Sequence, residues 1–430
     1  MINLNLFNPW WRDNEVNKYL VGKKRKIFYE VYKYLNLRQI LIFTGLRRVG
    51  KTTLMFQIID SLISDKNIHP IQILYFSFDE SVEILEEILK IYEIEILKEK
   101  ISNIQVFLFF DEIQKLENWP SKIKIIYDLY PNVKIFLSGS AAINLKKGTR
   151  ESLAGRYFDF VIETLDFEEY LEFKDIKLDK EREDIFEVNI RKSFDNFLIS
   201  GGFIEALELD SIKIKKYFRE GLIERVIYKD LPGVFSINYP DLLYRLVNIL
   251  AERPGIYLEY KNIANDLKYD QRTISAYLSY LEYSMLVNKI YNYSKNFITS
   301  EKKIKRAYLS NTAFTAALSD IMDYSSFIEQ FFINFFKVEN FYRNPQREEI
   351  DIILKLNDKI IPVEVKIKNE IKSDDLKPIF KFLERFDLNK GLIITKNTSN
   401  DFTKNNKLIK AIPYWKYWSL KRELYLNSKQ

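Results

Sequence analysis

The chain has 430 residues, enough for two or three domains with sizeable cores. Lys and Arg total 66 against 60 Asp and Glu, a net charge of +6 that permits nucleic acid as a partner without requiring it. Cysteine is absent and the single histidine, His69, precedes Pro70 in a turn, so disulfides, thiolate chemistry and histidine-based sites are set aside, and any metal must sit on carboxylates and hydroxyls, as Mg²⁺ or Mn²⁺ does.

No apolar run approaches the ~18 residues that a membrane helix needs. The start, Met1-Ile2-Asn3-Leu4-Asn5, has no basic region followed by an apolar stretch. A soluble, cytoplasmic protein without a membrane partner is expected. Residues 1–38 form an N-terminal segment with Asn8-Pro9-Trp10-Trp11 and a charged amphipathic stretch, and the Trp pair is expected to pack on a domain face.

From 39 to 165 the pattern predicts a doubly wound α/β domain. Apolar runs of strand length recur at Ile40–Phe43, Ile71–Phe78, Ile104–Phe110, Val133–Leu137 and Tyr157–Ile162. Uninterrupted strands of this kind suit a parallel sheet covered on both faces. Between the first strand and a helical pattern lies Gly45-Leu46-Arg47-Arg48-Val49-Gly50-Lys51-Thr52, followed by Thr53. G-x-x-x-x-G-K-T in that context is the P-loop signature, predicted to cradle the phosphates of ATP. Gly45 and Gly50 let the backbone turn without a Cβ, so the amides through Arg47, Arg48 and Val49 can point at phosphate oxygens. Lys51 reaches the β- and γ-phosphates, and the Thr52 hydroxyl ligates Mg²⁺.

Val106-Phe107-Leu108-Phe109-Phe110 ends in Asp111-Glu112, carboxylates at the end of a buried strand as in the Walker B motif. Asp111 is expected to hold Mg²⁺ and Glu112 to orient the attacking water. The next strand ends in Ser138-Gly139-Ser140, and Ser138 is the candidate sensor between the two motifs. Arg150 and Gly155-Arg156 follow. Arg156 is the candidate finger reaching a neighbouring subunit's γ-phosphate, which would need a homo-oligomer, and a structural ion pair is the alternative.

With Phe110–Lys115 and Trp119, Ser138-Gly139-Ser140-Ala141, Ser152–Arg156 and Leu165–Tyr170 added to the P-loop, the chain resembles the prokaryotic, largely archaeal AAA+ P-loop ATPases that carry a C-terminal winged helix and nuclease-like domain. The resemblance covers most of the chain and implies a nucleotide-driven machine.

Residues 166–235, rich in Phe, Leu and Lys, are expected as a helical lid over the nucleotide, closed by a hinge at Asp230-Leu231-Pro232-Gly233. Residues 236–298 resemble a winged helix-turn-helix, with helices over Asp241–Ala251, Tyr260–Leu267 and Gln271–Tyr283, the last capped by Asp270, and a wing beginning at Leu286–Tyr291. Arg272 is the one basic side chain on the third helix, so DNA contact and a purely structural role both stay open.

Residues 299–430 carry a second constellation. Glu329 lies on an aromatic helix, Phe327–Phe341; Glu349–Leu354 is a strand bearing Asp351; after a turn at Asn357-Asp358-Lys359, Ile361–Ile367 places Glu364 and Lys366 on one face. A helix over Asp374–Phe386 and a strand at Gly391–Thr395 follow. Acid on a helix, strand-Asp, then strand-Glu-x-Lys is similar to the PD-(D/E)xK nuclease fold. Two carboxylates about 4 Å apart repel by roughly 4 kcal/mol at an effective dielectric near 20, so Asp351 and Glu364 can adjoin only if a divalent cation or Lys366 neutralises them. Glu329, Asp351 and Glu364 are the candidate ligands for Mg²⁺ or Mn²⁺, and Glu364 and Lys366 the candidate catalytic pair for phosphodiester cleavage. A binding platform that keeps these residues without cleaving is the alternative. The expected architecture is thus α/β: a P-loop AAA+ doubly wound parallel sheet, a helical lid, a winged helix and a restriction-endonuclease-like α/β domain, acting on DNA with ATP.

Overall fold

The computed structural model describes residues 3–79, 84–140, 153–294, 296, 300, 303–320, 323–356 and 359–425. Ala141, Arg150, Ser152 and the turn at Asn357-Asp358 lie outside the described residues. The chain divides into two compact units, residues 1–169 with 203–205, and residues 170–202 with 206–430.

The first unit is built on β1 (Ile40–Thr44), β2 (Ile73–Ser77), β3 (Val106–Asp111), β4 (Val133–Ser138) and β5 (Tyr157–Val161). They pair in the order β2-β3-β4-β1-β5, every pairing parallel. Strands β1, β3 and β4 are buried along their whole length, because their Ile, Val, Leu and Phe side chains fill both faces. Helices α1 (Lys51–Ser64), α2 (Leu85–Ile91) and α3 (Trp119–Leu129) make the crossovers. Trp119, Ile123 and Ile126 of α3 join Leu74, Phe76, Leu108, Phe110, Ile135 and Leu137 in one core. Parallel pairing brings the carboxyl ends of β1, β3 and β4 to one end of the sheet, with β4 between the other two.

The N-terminal segment covers the β2 edge. Asn8 donates to the Tyr75 carbonyl at 3.0 Å and accepts from its N–H at 2.6 Å, as a neighbouring strand would. The indoles of Trp10 and Trp11 both donate to the Ile73 carbonyl, at 3.2 and 2.8 Å, and Trp10 is fully buried. The pair packs as anticipated.

The second unit runs α4 (Glu187–Ser200), α5 (Ser211–Phe218), α6 (Pro240–Glu252), β6 (Ile256–Tyr257), α7 (Tyr260–Leu267), α8 (Gln271–Tyr283), β7 (Val287–Asn292), β8 (Lys305–Leu309), α9 (Thr312–Leu318), α10 (Tyr324–Phe335), β9 (Asn340–Arg343), β10 (Glu349–Leu356), β11 (Lys359–Lys366), α11 (Ser373–Phe386), β12 (Lys390–Thr395), β13 (Asp401–Lys404), β14 (Lys407–Pro413) and α12 (Tyr417–Tyr425). Among the described residues its nine strands form a single sheet in the order β13-β14-β12-β11-β10-β9-β7-β8-β6.

Three features of this unit depart from the sequence reading. The segment read as a lid belongs largely here: Phe194 and Phe197 of α4 pack their rings on Phe331 of α10, at 5.0 and 6.0 Å. The aromatic helix expected to reach Phe341 stops at Phe335, where Lys337 turns left-handed (φ 51°) and the Val338 N–H bonds back to Ile333. Phe341 then falls on β9, Asn340–Arg343, where the pair Phe341-Tyr342 suits a strand as well as a helix. Finally, β7 pairs with β8 antiparallel and with β9 parallel, so the wing strands and the C-terminal strands are continuous.

Candidate active site

The loop from Gly45 to Gly50 connects β1 to α1 at the carboxyl edge of the first sheet. Gly45 has φ 148°, and a Cβ there would lie 2.3 Å from the Ile162 carbonyl oxygen. Gly50 has φ 92° and directly precedes the first residue of α1, so the helix N-terminus opens onto the loop. The Lys51 ammonium, largely buried, donates to the carbonyls of Gly45 at 3.2 Å and Leu46 at 2.8 Å. Arg47 and Thr53 are half-buried, Arg48 is exposed with φ 64°, and Val49 is buried beneath the loop.

Asp111, at the end of β3, gathers the neighbouring strand ends. Its Oδ2 accepts from the Thr52 hydroxyl at 2.6 Å and the Tyr75 hydroxyl at 3.1 Å. Its Oδ1 accepts from the Ser138 hydroxyl and from the Glu112 N–H at 3.0 Å. Ser138 is brought there by register, since β4 pairs with both β3 and β1 and Ser138 stands opposite Phe43. Burial and the adjoining Asp111 charge push the Tyr75 phenol far above its usual range, so it stays a donor. Glu112 adopts a left-handed backbone (φ 51°) that turns it off the strand line, and Gln114 donates to its carboxylate. A hydroxyl and a carboxylate held together at a P-loop are a donor set that suits Mg²⁺.

Two residues outside the motifs matter here. Arg25 was not singled out from the sequence, yet its guanidinium binds the Val49 carbonyl at 3.2 Å, the Glu163 and Thr164 carbonyls at 2.7 and 3.0 Å, and the Glu169 carboxylate at 2.9 Å. It ties the P-loop to the chain that follows β5. Arg156, by contrast, precedes β5 at the end where Tyr157 pairs with Ile40, five residues upstream of the loop, and forms a two-point pair with Asp128 at 2.9 and 3.3 Å. It is not among the groups gathered around Asp111.

The second unit does assemble Glu329, Asp351, Glu364 and Lys366. Asp351 and Glu364 adjoin across β10 and β11, one step beyond the pair Ile352 and Val363, and the Asp351 N–H donates to Glu364 at 3.3 Å. Both are buried. The neutralising partner expected from the sequence is present, with the Lys366 ammonium 2.6 Å from Glu364 and 4.0 Å from Asp351. A second cation escaped the sequence reading: Arg306 of β8 lies 2.8 Å from Glu329, 3.1 Å from Glu349 and 3.7 Å from Asp351. Alternation of Arg306 and Tyr308 along a short strand was the available signal.

The donor set does not fit a metal ion. Glu329 accepts from Arg306 and from the Tyr308 hydroxyl at 2.6 Å; Asp351 accepts from the Val365 N–H at 3.0 Å; Glu349 accepts from the Tyr257 hydroxyl. Among the described residues no group of three or more acids is arranged to hold a metal. With four carboxylates facing two cations, burial and the Asp351 charge push Glu364 up to about 8, and burial with Asp351 pushes Glu329 up to about 7. The same carboxylates hold Lys366 firmly as the ammonium, against its desolvation.

Residues 37–171 match the model of an AAA domain, and residues 191–325 and 327–417 match two domains of unknown function, DUF8612 and DUF4143. Two proteins of Methanocaldococcus jannaschii align over nearly the full chain. The uncharacterized protein MJ1544 is 28% identical over 423 residues, 93% of this chain and 92% of that one. The uncharacterized protein MJ1637 is 30% identical over 413 residues, 85% of this chain and 83% of that one. Among solved structures, the Walker-type ATPase paby2304 of Pyrococcus abyssi aligns with a TM-score of 0.40 and 14% identity, over 71% of this chain and 97% of that one.

Proposed function

We propose, from the premise that this chain belongs to the family of the Methanocaldococcus jannaschii protein MJ1637 and carries an AAA-type P-loop ATPase domain, that it hydrolyses ATP with Mg²⁺ and couples turnover to work on DNA. One observation carries the first half: the 2.6 Å bond from Thr52 to Asp111, which joins the two nucleotide motifs at one sheet edge. In this reading the loop amides from Gly45 to Gly50 bind phosphate, and Lys51 leaves its loop carbonyls to neutralise the β- and γ-oxygens. Thr52 and Asp111 would hold Mg²⁺, which supplies charge neutralisation across the phosphates. Glu112, steadied by Gln114, orients the attacking water, and Ser138 senses the γ-phosphate. Arg156, released from Asp128, acts on the γ-phosphate of a neighbouring copy in a homo-oligomer. Lys51→Ala is expected to abolish ATP turnover; hydrolysis at the wild-type rate would remove the assignment.

The DNA half is supported by the run α6-β6-α7-α8-β7-β8, which has the order of a winged helix, and by Arg272 and Ser275 exposed on α8. ATP turnover stimulated by added duplex DNA is the expected result. A second reading, a nucleotide-dependent regulatory protein whose C-terminal part binds a partner without cleaving, is favoured by Arg306 among the acids. Plasmid incubated with Mn²⁺ tests the non-cleaving part of this reading: the wild type is expected to cut no more than Asp351→Ala does, and cutting by the wild type alone would overturn it.

A further inference from the structure

We infer that Arg306 stands where a metal-dependent nuclease holds its cation, so that the acid cluster of the second unit is a metal-free ionic clasp joining β8 to α10 and β10. The inference rests on the C-terminal part of the second reading and not on ATP hydrolysis.

The cluster is built for a guanidinium. Its planar fork spreads positive charge over Glu329, Glu349 and Asp351 at 2.8, 3.1 and 3.7 Å, and so occupies two of the three carboxylates, Glu329 and Asp351, that a divalent ion would have to gather. Behind it, Nε donates to the Gly255 carbonyl at 2.9 Å. Gly255 has φ 80°, and a Cβ there would come within 2.4 Å of Arg306 Nη2, so the backbone is shaped to admit this side chain. The rings of Tyr308, Phe341 and Tyr257 flank the guanidinium at 5.3, 5.7 and 5.8 Å. A guanidinium cannot be neutralised by losing a proton under ordinary conditions, so a divalent ion would have to displace it bodily. Displacement would break the Gly255 bond and leave a buried charge without partners. The cation also comes from a strand paired with β7 rather than from the acids' own strands, so the clasp holds the wing strands to the C-terminal layer.

The test is Mn²⁺ binding to the full chain without nucleotide, followed by electron paramagnetic resonance, with ATPase activity recorded on the same preparations so that failure of the ATPase reading is seen separately. Wild type and Asp351→Asn are expected to give the same isotherm. Arg306→Met, which keeps length and loses charge, is expected to gain Mn²⁺ affinity by about tenfold or more, and to lose that gain when combined with Asp351→Asn. An isotherm of the wild type that weakens on Asp351→Asn overturns the inference, as does a folded Arg306→Met with no gain. Should Arg306→Met fail to fold, the comparison of wild type with Asp351→Asn decides alone.

Discussion

Asp111 illustrates how far single residues can be read from sequence and where that ends. Its place after five apolar residues, and its pairing with Thr52 across the sheet edge, follow from local motifs and parallel order. The Tyr75 hydroxyl that also reaches it comes from β2, whose side-chain direction no motif fixes. Glu112 is the residue whose chemistry should separate binding from turnover. Glu112→Gln is expected to keep ATP affinity within a few-fold and to lower kcat by about 10²–10⁴-fold, read by equilibrium binding against steady-state hydrolysis. Glu364 supports a pH prediction. Its folded-state value of about 8 lies above its ordinary 4.5, so between those limits the folded unit binds the extra proton. Stability from this group is therefore complete below pH 4.5 and lost as pH rises toward 8. Glu329 acts in the same sense up to about 7. The thermal midpoint of the second unit should fall across this range in the wild type and fall less in Glu364→Gln; parallel curves would refute the protonated Glu364.

At the scale of elements, strands and helices with strong local signals were legible, and elements fixed by distant partners were not. Helices α7 and α8 match their expected limits because Lys268 ends one in a left-handed turn and Asp270 caps the other through the N–H groups of Arg272 and Thr273. Strand β8 has five residues and takes its meaning from β6, β7 and acids more than twenty positions away, so the alternation of Arg306 and Tyr308 was its only local trace and did not name their partners. Arg25 is comparable: its partners at Val49, Glu163, Thr164 and Glu169 adjoin only after the sheet forms. Removing it breaks a buried ion pair and three carbonyl bonds, so Arg25→Ala should destabilise the first unit by about 3–5 kcal/mol and raise KM for ATP more than it lowers kcat. An unchanged KM would mean the loop holds its shape without this tie. On the outer strand, Asn8→Ala leaves the Tyr75 N–H and C=O without their partner and should cost about 1–3 kcal/mol in chemical denaturation.

For the whole molecule, the AAA domain model ends at residue 171, close to where the first unit ends at 169. The P-loop and the acid-ended strand of that unit were legible in the sequence, while the second unit's pairing was beyond it, because a sheet of nine strands in the order 13-14-12-11-10-9-7-8-6 depends on non-local partners. The DNA reading also belongs at this scale. Phosphate contacts set the salt dependence of DNA binding, and α8 offers a single basic side chain. Arg272→Ala should therefore reduce the log–log salt slope by about 1 and weaken binding to all sequences alike, measured by fluorescence anisotropy. An unaltered slope would place DNA on another surface or remove it.

The seam between β7 and its neighbours has a practical consequence for anyone dissecting this protein. Cutting the chain at 298, where the wing and the C-terminal part were expected to separate, would strip β7 of β8 on one side and β9 on the other. A recombinant fragment ending there would present two bare strand borders, ready to zip onto further copies of itself, and should come out of expression as insoluble material.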